Sequence, residues 1–337
     1  MKAVGYYRPL PIDNADALVD LDLPTPELRP RDLLVRVEAV SVNPVDVKVR
    51  AAATPPEGEA RILGYDAVGI IEASGPEATL FKKGDAVFYA GVIDRQGTNA
   101  EFHAVDERIV GAKPASLTAA HAAALPLTSL TAWELLFDRL GVPYGQKMTD
   151  DSILIVNGAG GVGSILTQIA RRLTGLTVIA TASRPETSEW CTNMGAHHVI
   201  DHHKPLNEGL AALGILQVRY VAGLTGSNRH QKAIVEVLAP QGALAMIDDP
   251  QTFDIVPFKR KSLSVHWELM FTRALFGTPD MVRQHRILNE VAALVDSGLL
   301  RSTFREDYGP INATNLRRAH AAVESGRGIG KSVLSGF

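Results

Sequence analysis

Two patterns of apolar and polar residues divide this chain. Between residues 33 and 42, Val35 and Val37 alternate with Arg36 and Glu38, and this period of two predicts a strand with one buried face. Similar short runs, separated by glycine, proline and charge, predict a small β-rich barrel that extends to about residue 122. The other predicted strands of this region are 64–72, 84–90 and 99–105.

From residue 116 onwards the apolar spacing becomes helical, with a proline, Pro126, inside the pattern. Beyond it, predicted strands and helices alternate as far as residue 267, which is typical of a doubly wound parallel sheet. Two helices, after Pro279 and over 313–324, and a short strand at 331–334 complete the chain.

The most informative stretch is a continuous apolar run, Ile153 to Val156, that leads directly into a glycine-rich turn. An apolar run of this length is typical of a parallel strand buried on both faces, and a helical pattern follows the turn. Because G-x-G-x-x-G between a strand and a helix holds pyrophosphate on backbone N–H groups, this stretch predicts a dinucleotide site. The alternative is a glycine-rich turn without a ligand. The turn consists of Gly158, Ala159, Gly160, Gly161, Val162 and Gly163.

The next strand indicates which dinucleotide is bound. NAD sites carry Asp or Glu about 20 residues beyond the glycine turn, where the carboxylate binds the ribose hydroxyls. This chain has Ser183 and Arg184 instead. A hydroxyl and a guanidinium suit a 2′-phosphate, so NADP(H) is the predicted cofactor. Alternatively, Arg184 is a solvated residue before the helix that Pro185 opens.

Composition limits the remaining classes of function. A length of 337 residues suits two domains, and a net charge of −3 argues against nucleic acid as a partner. No apolar run approaches the ~18 residues of a membrane span, and Met1 leads straight into a predicted strand, so we expect a cytoplasmic protein without a membrane partner. The one cysteine, Cys191, excludes disulfide frameworks and multi-cysteine metal sites.

Five motifs in order give the chain a resemblance to a known family. They are Ser41–Asp46 (SVNPVD), Leu63–Gly69 (LGYDAVG), Leu125–Trp133 (LPLTSLTAW), Asn157–Gly163 (NGAGGVG) and Gly330–Leu334 (GKSVL). The chain resembles the medium-chain dehydrogenase/reductase superfamily, especially its zinc-free quinone oxidoreductase branch. The resemblance implies an α/β protein with a GroES-like catalytic domain over 1–122 and 276–337, a Rossmann domain over 123–275, an active site in the cleft and a homodimer.

Residues at the family's metal positions argue against zinc. Where zinc-using relatives carry a cysteine, a His-Glu pair and a second cysteine, this chain has Asn43, then Tyr65 and Asp66, and no cysteine over 127–131. Catalytic zinc needs about three protein ligands, so we expect none. Four histidines crowd 197–203, but side chains alternate along a strand and would not converge. The resemblance implies that His202 or His203 touches the 2′-phosphate or adenine; the alternative is a solvated loop.

Without a metal, conjugated acceptors are the favoured substrates, because hydride addition to a quinone or an α,β-unsaturated carbonyl leaves a delocalised charge. We expect Asn43, Tyr65 and Asp66 to face this small-molecule acceptor, the amide and the hydroxyl donating hydrogen bonds to its oxygen. The alternatives are a turn-capping Asn43 and a packed Tyr65. Asp46 is expected to order the loop.

Other positions complete the predicted site. Thr131 lies, by family position, at the nicotinamide end, and Leu224 and Ile247 follow predicted strands whose carboxyl ends face the ligand crevice. Lys331 is expected near the cofactor phosphates, or simply solvated. The aromatic stretch 267–271 is expected to be a subunit contact or a lid. Two other functions stay open: a zinc-dependent alcohol dehydrogenase, and a non-catalytic NADPH-binding protein.

Overall fold

The computed structural model describes residues 1–337 and divides them into two units. Unit 1 comprises Met1–Leu130 and Phe271–Phe337, and unit 2 comprises Thr131–Met270. The sequence predicts domain boundaries at 122/123 and 275/276, whereas the two units divide at 130/131 and 270/271.

The strands are β1 (Lys2–Tyr6), β2 (Val19–Asp22), β3 (Asp32–Val42), β4 (Arg61–Ile62), β5 (Ala67–Ser74), β6 (Ala86–Tyr89), β7 (Phe102–Asp106), β8 (Val110–Ala112), β9 (Ser152–Val156), β10 (Thr177–Thr181), β11 (His198–Ile200), β12 (Val218–Gly223), β13 (Leu238–Met246), β14 (Ser264–Trp267), β15 (Phe304–Asp307) and β16 (Lys331–Ser335). The α-helices are α1 (Pro44–Ala52), α2 (Ala119–Ala123), α3 (Pro126–Trp133), α4 (Gly161–Leu173), α5 (Pro185–Met194), α6 (Leu206–Ala211), α7 (Ser227–Val237), α8 (Thr272–Leu275), α9 (Arg283–Asp296) and α10 (Ala313–Glu324).

Strand β3 is the centre of unit 1. Its apolar residues Val35 and Val37 are buried while Arg36 between them is exposed, as the period of two predicts. It lies in a seven-stranded sheet of order β15-β16-β3-β5-β6-β8, in which β7 also pairs with β3. The last strand, β16, runs antiparallel to β3 with Ser332 opposite Val42, so the end of the chain reaches the residues that follow β3.

Unit 2 contains a six-stranded sheet of order β11-β10-β9-β12-β13-β14, and every neighbouring pair in it is parallel. This is the strand order of the doubly wound dinucleotide-binding fold, and it confirms the predicted fold class. Strand β9 is buried along its whole length, which explains its continuous apolar sequence. Helix α4 buries Ile165 and Ile169 against the sheet, while Arg171 and Arg172 face solvent.

The helical stretch around Pro126 is divided. Helix α2 ends before the proline and α3 begins with it, as expected of a residue that cannot donate a backbone hydrogen bond. A turn of π-helix, Glu134–Arg139, continues α3. None of the helices has the length and the apolar character needed to cross a membrane.

Candidate active site

Most of the predicted cofactor residues lie at one edge of the unit 2 sheet, where the parallel strands have their carboxyl ends. The glycine turn follows β9, and Ser183 and Arg184 follow β10. His202 lies two residues beyond β11, and Leu224 and Ile247 come directly after β12 and β13. Parallel strands bind ligands at this edge, so the fold brings these residues to one side of the sheet.

Close packing requires two of the glycines of the turn, Gly158 and Gly163. A side chain on Gly158 would place its Cβ 2.7 Å from the Cβ of Ala180 and 3.0 Å from Sγ of Cys191. A Cβ on Gly163 would lie 2.4 Å from the carbonyl oxygen of Asn157. The Cβ of a residue at Gly160 would meet only the flexible Asn157 amide, at 3.3 Å. Gly160 is therefore dispensable for packing, and its lack of a side chain leaves the backbone open to a ligand.

The turn leads into the N-terminus of a long helix. Gly160 is the N-cap of α4, and Gly161, Val162 and Gly163 form its first turn. The N–H groups at the start of an α-helix have no partners within the helix, and the helix dipole adds positive potential there. This end of α4 is suited to bind phosphate.

Thr181 connects the glycine turn with the next strands. Its hydroxyl accepts a hydrogen bond from Asn157 N at 2.9 Å and lies 3.1 Å from Nδ1 of His202. Its carbonyl accepts from Gly158 N at 3.0 Å. The link fixes Asn157, which adopts a left-handed conformation with φ of 67°.

Arg184 lies at the start of α5. Its backbone N–H donates to Oγ1 of Thr187 at 3.1 Å, and that hydroxyl donates to the Arg184 carbonyl at 2.7 Å. The Arg184 guanidinium is 3.3 Å from Glu186, an exposed carboxylate. Because that ion pair is at the surface, solvent and salt weaken it.

The histidine-rich stretch does not form a metal site. Strand β11 ends at Ile200, so His202 and His203 lie in the turn that follows the strand. Their ring centroids are 4.8 Å apart, and His230 of α7 lies 6.3 Å from His202. His197 faces elsewhere, since its Nδ1 accepts from Val178 N at 2.9 Å. No three His, Cys, Asp or Glu side chains in the chain are placed to hold a metal ion.

The remaining predicted residues, except Thr131, belong to unit 1. Thr131 is buried in α3, at the first position of unit 2.

In unit 1, Asp66 is the centre of a buried polar network. Its Oδ2 accepts from the Ser41 hydroxyl at 2.8 Å and the Asn43 amide at 2.7 Å, and its Oδ1 accepts from Leu127 N at 2.7 Å. The Asp66 carboxylate therefore bonds to groups in the interior of unit 1.

A lysine from the last strand completes this network. Nζ of Lys331 is 3.1 Å from Asp66 Oδ2 and 2.9 Å from the Val42 carbonyl, and it also donates to Oδ1 of Asn43. Burial lowers the pKa of Lys331, and the carboxylate of Asp66 opposes that shift. The three N–H donors of the ammonium meet three acceptors, which counts against the predicted contact with cofactor phosphates.

Asp46 orders the segment that precedes α1, as expected. Its carboxylate accepts from Asn43 N at 2.7 Å and from Gly64 N at 2.9 Å. Complete burial raises the pKa of Asp46 to about 7, although both backbone donors oppose the shift. Asn43 is held on both its backbone and its side chain, so Asn43 and Asp66 support the loop rather than present free groups to an acceptor.

Tyr65 differs from its neighbours in this network. Its side chain is fully buried, its ring meets Phe271 edge-on at 5.4 Å, and its hydroxyl has no hydrogen-bond partner. Burial first, and then the charge of Asp46, raise the pKa of Tyr65 to about 12, while Arg61 lowers it. Among the three predicted catalytic side chains, only Tyr65 has a polar atom that the protein leaves unpaired.

Comparison with known proteins identifies the family. The sequence profile described as "Alcohol dehydrogenase GroES-like domain" matches residues 29–127, and "Zinc-binding dehydrogenase" matches residues 194–334. A zinc-type alcohol dehydrogenase-like protein of Staphylococcus aureus (strain MSSA476) is 39% identical over 341 residues, 99% of this chain and 100% of the relative. A quinone oxidoreductase structure from Pseudomonas syringae pv. tomato DC3000 is 25% identical, with a TM-score of 0.84 and 99% of both chains covered. The chain belongs to the medium-chain dehydrogenase/reductase superfamily, in its quinone oxidoreductase-like branch.

Two further relatives refine this assignment. A structure from Rhizobium etli CFN 42, solved as a proposed zinc-dependent alcohol dehydrogenase, is 57% identical with a TM-score of 0.96, and the match covers 100% of this chain and 98% of that one. A chloroplastic NADPH-dependent alkenal/one oxidoreductase from Arabidopsis thaliana is 32% identical over 201 residues, 57% of this chain and 50% of the relative. This medium-chain reductase is accordingly an oxidoreductase with a GroES-like and a Rossmann domain.

The zinc in the names of several relatives does not fit the residues of this medium-chain reductase. A catalytic zinc site needs about three ligands of the Cys, His, Asp or Glu type. Here Asn43, Tyr65 and Asp66 include one carboxylate, and that carboxylate already pairs with the Lys331 ammonium. A zinc ion beside Asp66 would meet the positive charge of Lys331 at close range, so the donor set and its charge both disfavour it.

Proposed function

We propose that this medium-chain reductase transfers a hydride from NADPH to quinones or α,β-unsaturated carbonyls without a metal. The observation that carries the proposal is the buried ion pair of Lys331 and Asp66. A resident ammonium neutralises the one carboxylate among the residues at the family's metal positions. A metal would add several kcal/mol of charge stabilisation at a carbonyl oxygen. Simple ketones depend on that help more than conjugated acceptors do.

A conjugated acceptor needs less stabilisation of negative charge from the protein than a simple ketone does. Hydride added to the β-carbon of an enone leaves an enolate, and hydride added to a quinone leaves a hydroquinone anion, both with delocalised charge. One further proton gives the saturated carbonyl or the hydroquinone, and NADPH becomes NADP⁺. The contribution of the protein is then to hold the nicotinamide and the acceptor in contact in a dry site.

NADPH rather than NADH is supported by the residues after β10. Ser183 and Arg184 stand where an NAD site carries a carboxylate, so a 2′-phosphate meets a guanidinium and no negative charge. The Arabidopsis relative is named for its NADPH dependence. We assign the phosphates of NADPH to the turn from Gly158 to Gly163.

Tyr65 is the proposed donor to the acceptor oxygen. Its raised pKa keeps the hydroxyl protonated at neutral pH, so it can donate a hydrogen bond to the developing oxyanion. Asn43 and Asp66 act on the acceptor indirectly in this proposal, because they position the backbone around Tyr65.

A homodimer is proposed from the exposed edge of the unit 2 sheet. Strand β14 is an edge strand, and Trp267 and Leu269 at its end are about half exposed. An edge strand with apolar side chains is a template for pairing with a second copy. Light scattering should give twice the chain mass, and a monomer at micromolar concentration would refute this.

The proposed reaction is tested by following NADPH oxidation with four acceptor classes: a quinone, an enone, an aldehyde and a saturated ketone. We expect turnover with the first two, unaffected by a strong chelator, and substoichiometric zinc in protein purified without chelator. Activity confined to alcohols or ketones that a chelator abolishes would indicate a zinc enzyme. NADPH binding without turnover of any acceptor would indicate a non-catalytic protein.

The variant that tests the preference for NADPH over NADH is Arg184→Ala. Losing one charge-assisted contact should weaken NADPH binding about 10- to 100-fold and leave NADH binding nearly unchanged. An equal loss for both cofactors would assign Arg184 a structural role and contradict the proposed NADPH preference.

A further inference from the structure

Two buried polar atoms with no partner lie close together in unit 1. They are the hydroxyl of Tyr65 and Nε of Arg61, and neither makes a hydrogen bond of normal geometry within the protein. The Arg61 guanidinium lies close enough to Tyr65 for its charge and its contact with the hydroxyl to lower the pKa of Tyr65, but neither Oη of Tyr65 nor Nε of Arg61 has a hydrogen-bond partner of normal geometry. No sequence motif indicates this pair of atoms, because Arg61 belongs only to the two-residue strand β4.

Both side chains are held in place by other contacts. Nη2 of Arg61 donates to the Ile93 carbonyl at 2.6 Å, and β4 pairs with β1, with Arg61 opposite Tyr6. The Tyr65 ring is fixed against Phe271. The fold therefore fixes the positions of both groups that carry an unpaired atom. Donors fixed in this way before a ligand arrives are characteristic of a preorganised binding site.

A buried donor without a hydrogen-bond partner destabilises the protein, because it has lost its bonds to water without replacing them. By contrast, the side-chain atoms of Asp66 and Lys331 in unit 1 are fully paired. Arginine has donors and no acceptor, and a protonated tyrosine can also donate. The partner that both groups lack is consequently an oxygen acceptor, and a negatively charged oxygen would be bound most strongly.

We propose that Arg61 Nε–H and Tyr65 Oη–H together bind the acceptor oxygen that becomes an enolate or phenolate, and that Arg61 determines specificity for such oxygens. The inference deepens the proposed function and rests on it for the identity of the acceptor. Arg61 transfers no proton in this scheme. Its permanent charge stabilises the oxyanion formed when hydride reaches the conjugated system, and the hydroxyl of Tyr65 donates the second hydrogen bond.

The test uses 4-nitrophenol, a phenol whose ionisation is visible in its absorbance, and needs neither NADPH nor turnover. Bound to the full-length protein, 4-nitrophenol should ionise about one pH unit or more below its free value, because a cation lies near its oxygen. Arg61→Met should weaken 4-nitrophenolate binding about tenfold or more and abolish that shift. Arg61→Lys should restore part of the affinity, and Tyr65→Phe should weaken it several-fold, by about one neutral hydrogen bond.

The control is Arg36→Met, which removes a guanidinium of unit 1 that lies at the surface beside Glu72. It should bind 4-nitrophenolate like the wild type. Thermal melting verifies folding of each variant, and Arg61→Lys and Tyr65→Phe remain informative if Arg61→Met does not fold.

The outcomes separate this inference from the proposed reaction. If no acceptor oxidises NADPH but 4-nitrophenolate binding still depends on Arg61, the proposed reaction fails and the oxyanion site stands. If quinones or enones are reduced but 4-nitrophenolate binding is absent, or is the same in wild type, Arg61→Met and Tyr65→Phe, the oxyanion site is refuted. A buried water would then be the missing partner of both atoms.

Discussion

Nζ of Lys331 lies 3.1 Å from Oδ2 of Asp66, although 265 residues separate the two in the chain. Both side chains are almost entirely buried, with relative exposures of 3% and 0%. A buried pair of this kind adds little net stability, but removing one partner leaves an uncompensated charge in the interior. The pair therefore links the end of the chain to the loops around β3 and β5.

The first prediction concerns this pair. Lys331→Met should lower the free energy of unfolding by about 3–5 kcal/mol, because Asp66 loses its counter-charge. Adding Asp66→Asn should recover part of that loss. The double variant should therefore lose less free energy of unfolding than the two single variants lose together. Urea unfolding of the four proteins measures the coupling. Strict additivity would mean that the two residues stabilise the fold independently.

The second prediction compares two buried histidines. Both ring nitrogens of His320 lack partners, and burial first, then Arg50, lower the pKa of His320 from 6.5 to about 3. In His103, Nδ1 lies 3.1 Å from the Tyr89 hydroxyl and Nε2 lies 3.0 Å from the Gln96 carbonyl. At neutral pH, His320→Leu should leave stability unchanged or raise it, whereas His103→Leu should cost about 1–3 kcal/mol for the groups left unpaired.

The pH dependence of stability follows from the same comparison. Between pH 6.5 and about 3 the unfolded chain holds a proton that folded His320 does not, so stability is present above pH 6.5 and is lost as the pH falls. The slope from this residue is about 1.4 kcal/mol per pH unit, and His320→Leu should remove it. Unfolding curves at several pH values measure the slope. An unchanged slope would mean that His320 is already charged in the folded protein.

The third prediction separates packing from ligand binding in the glycine turn. Gly163→Ala would bring a methyl group within 2.4 Å of the Asn157 carbonyl, so it should destabilise unit 2 and lose NADPH binding together. Gly160→Ala meets only a flexible side-chain amide at 3.3 Å. It should melt close to the wild type yet bind NADPH at least about tenfold more weakly, because the pyrophosphate must approach this backbone. Wild-type affinity for NADPH in Gly160→Ala would place the phosphates elsewhere.

The fourth prediction concerns pH and the choice of cofactor. Burial is the first cause that lowers the pKa of both His202 and His230. Repulsion between the protonated rings of neighbouring histidines, and from Arg229, lowers both values further, while Asp201 opposes the shift of His202 and Asp248 that of His230. These rings are then mostly neutral at pH 7 in the free protein. A 2′-phosphate beside them would favour their protonated forms. NADPH affinity should therefore rise about three- to tenfold between about pH 8 and about pH 6.

NADH is the control for this fourth prediction, since it lacks the 2′-phosphate and its affinity should change little with pH. His202→Gln should flatten the NADPH dependence without altering the response to NADH. Parallel pH profiles for the two cofactors would mean that the histidines do not meet the phosphate. Fluorescence titration of each reduced cofactor gives the four profiles.

Local features of the fold followed from the sequence. Helix α10 spans the predicted residues, and α5 begins at Pro185, the proline that was expected to open it. The buried strand before the glycine turn also lies where its apolar run predicted. The short strand of the histidine-rich stretch, His198–Ile200, also lies where the sequence predicted it, and His202 and His203 follow it in a turn.

The candidate site was predictable in part. Motif and strand position predicted the residues at the carboxyl edge of the parallel sheet. The direction of the strands alone places these residues at one edge, so their side-chain contacts need not be known. The same approach listed Asn43, Asp66 and Lys331 as groups for the acceptor or the cofactor. In the folded chain they bond to one another. Arg61 was missed because its significance depends on an unpaired atom beside Tyr65.

The sequence by itself determined the periodicities, the glycine turn and the absence of zinc ligands at the family positions, all of which are properties of neighbouring residues. The tertiary structure alone decided which polar atoms are paired. Strand register brings Lys331 beside Asn43, and the packing of Tyr65 against Phe271 leaves a hydroxyl without a partner. Hydrogen bonds depend on distances of a few tenths of an ångström between residues far apart in the chain, and no local pattern contains those distances.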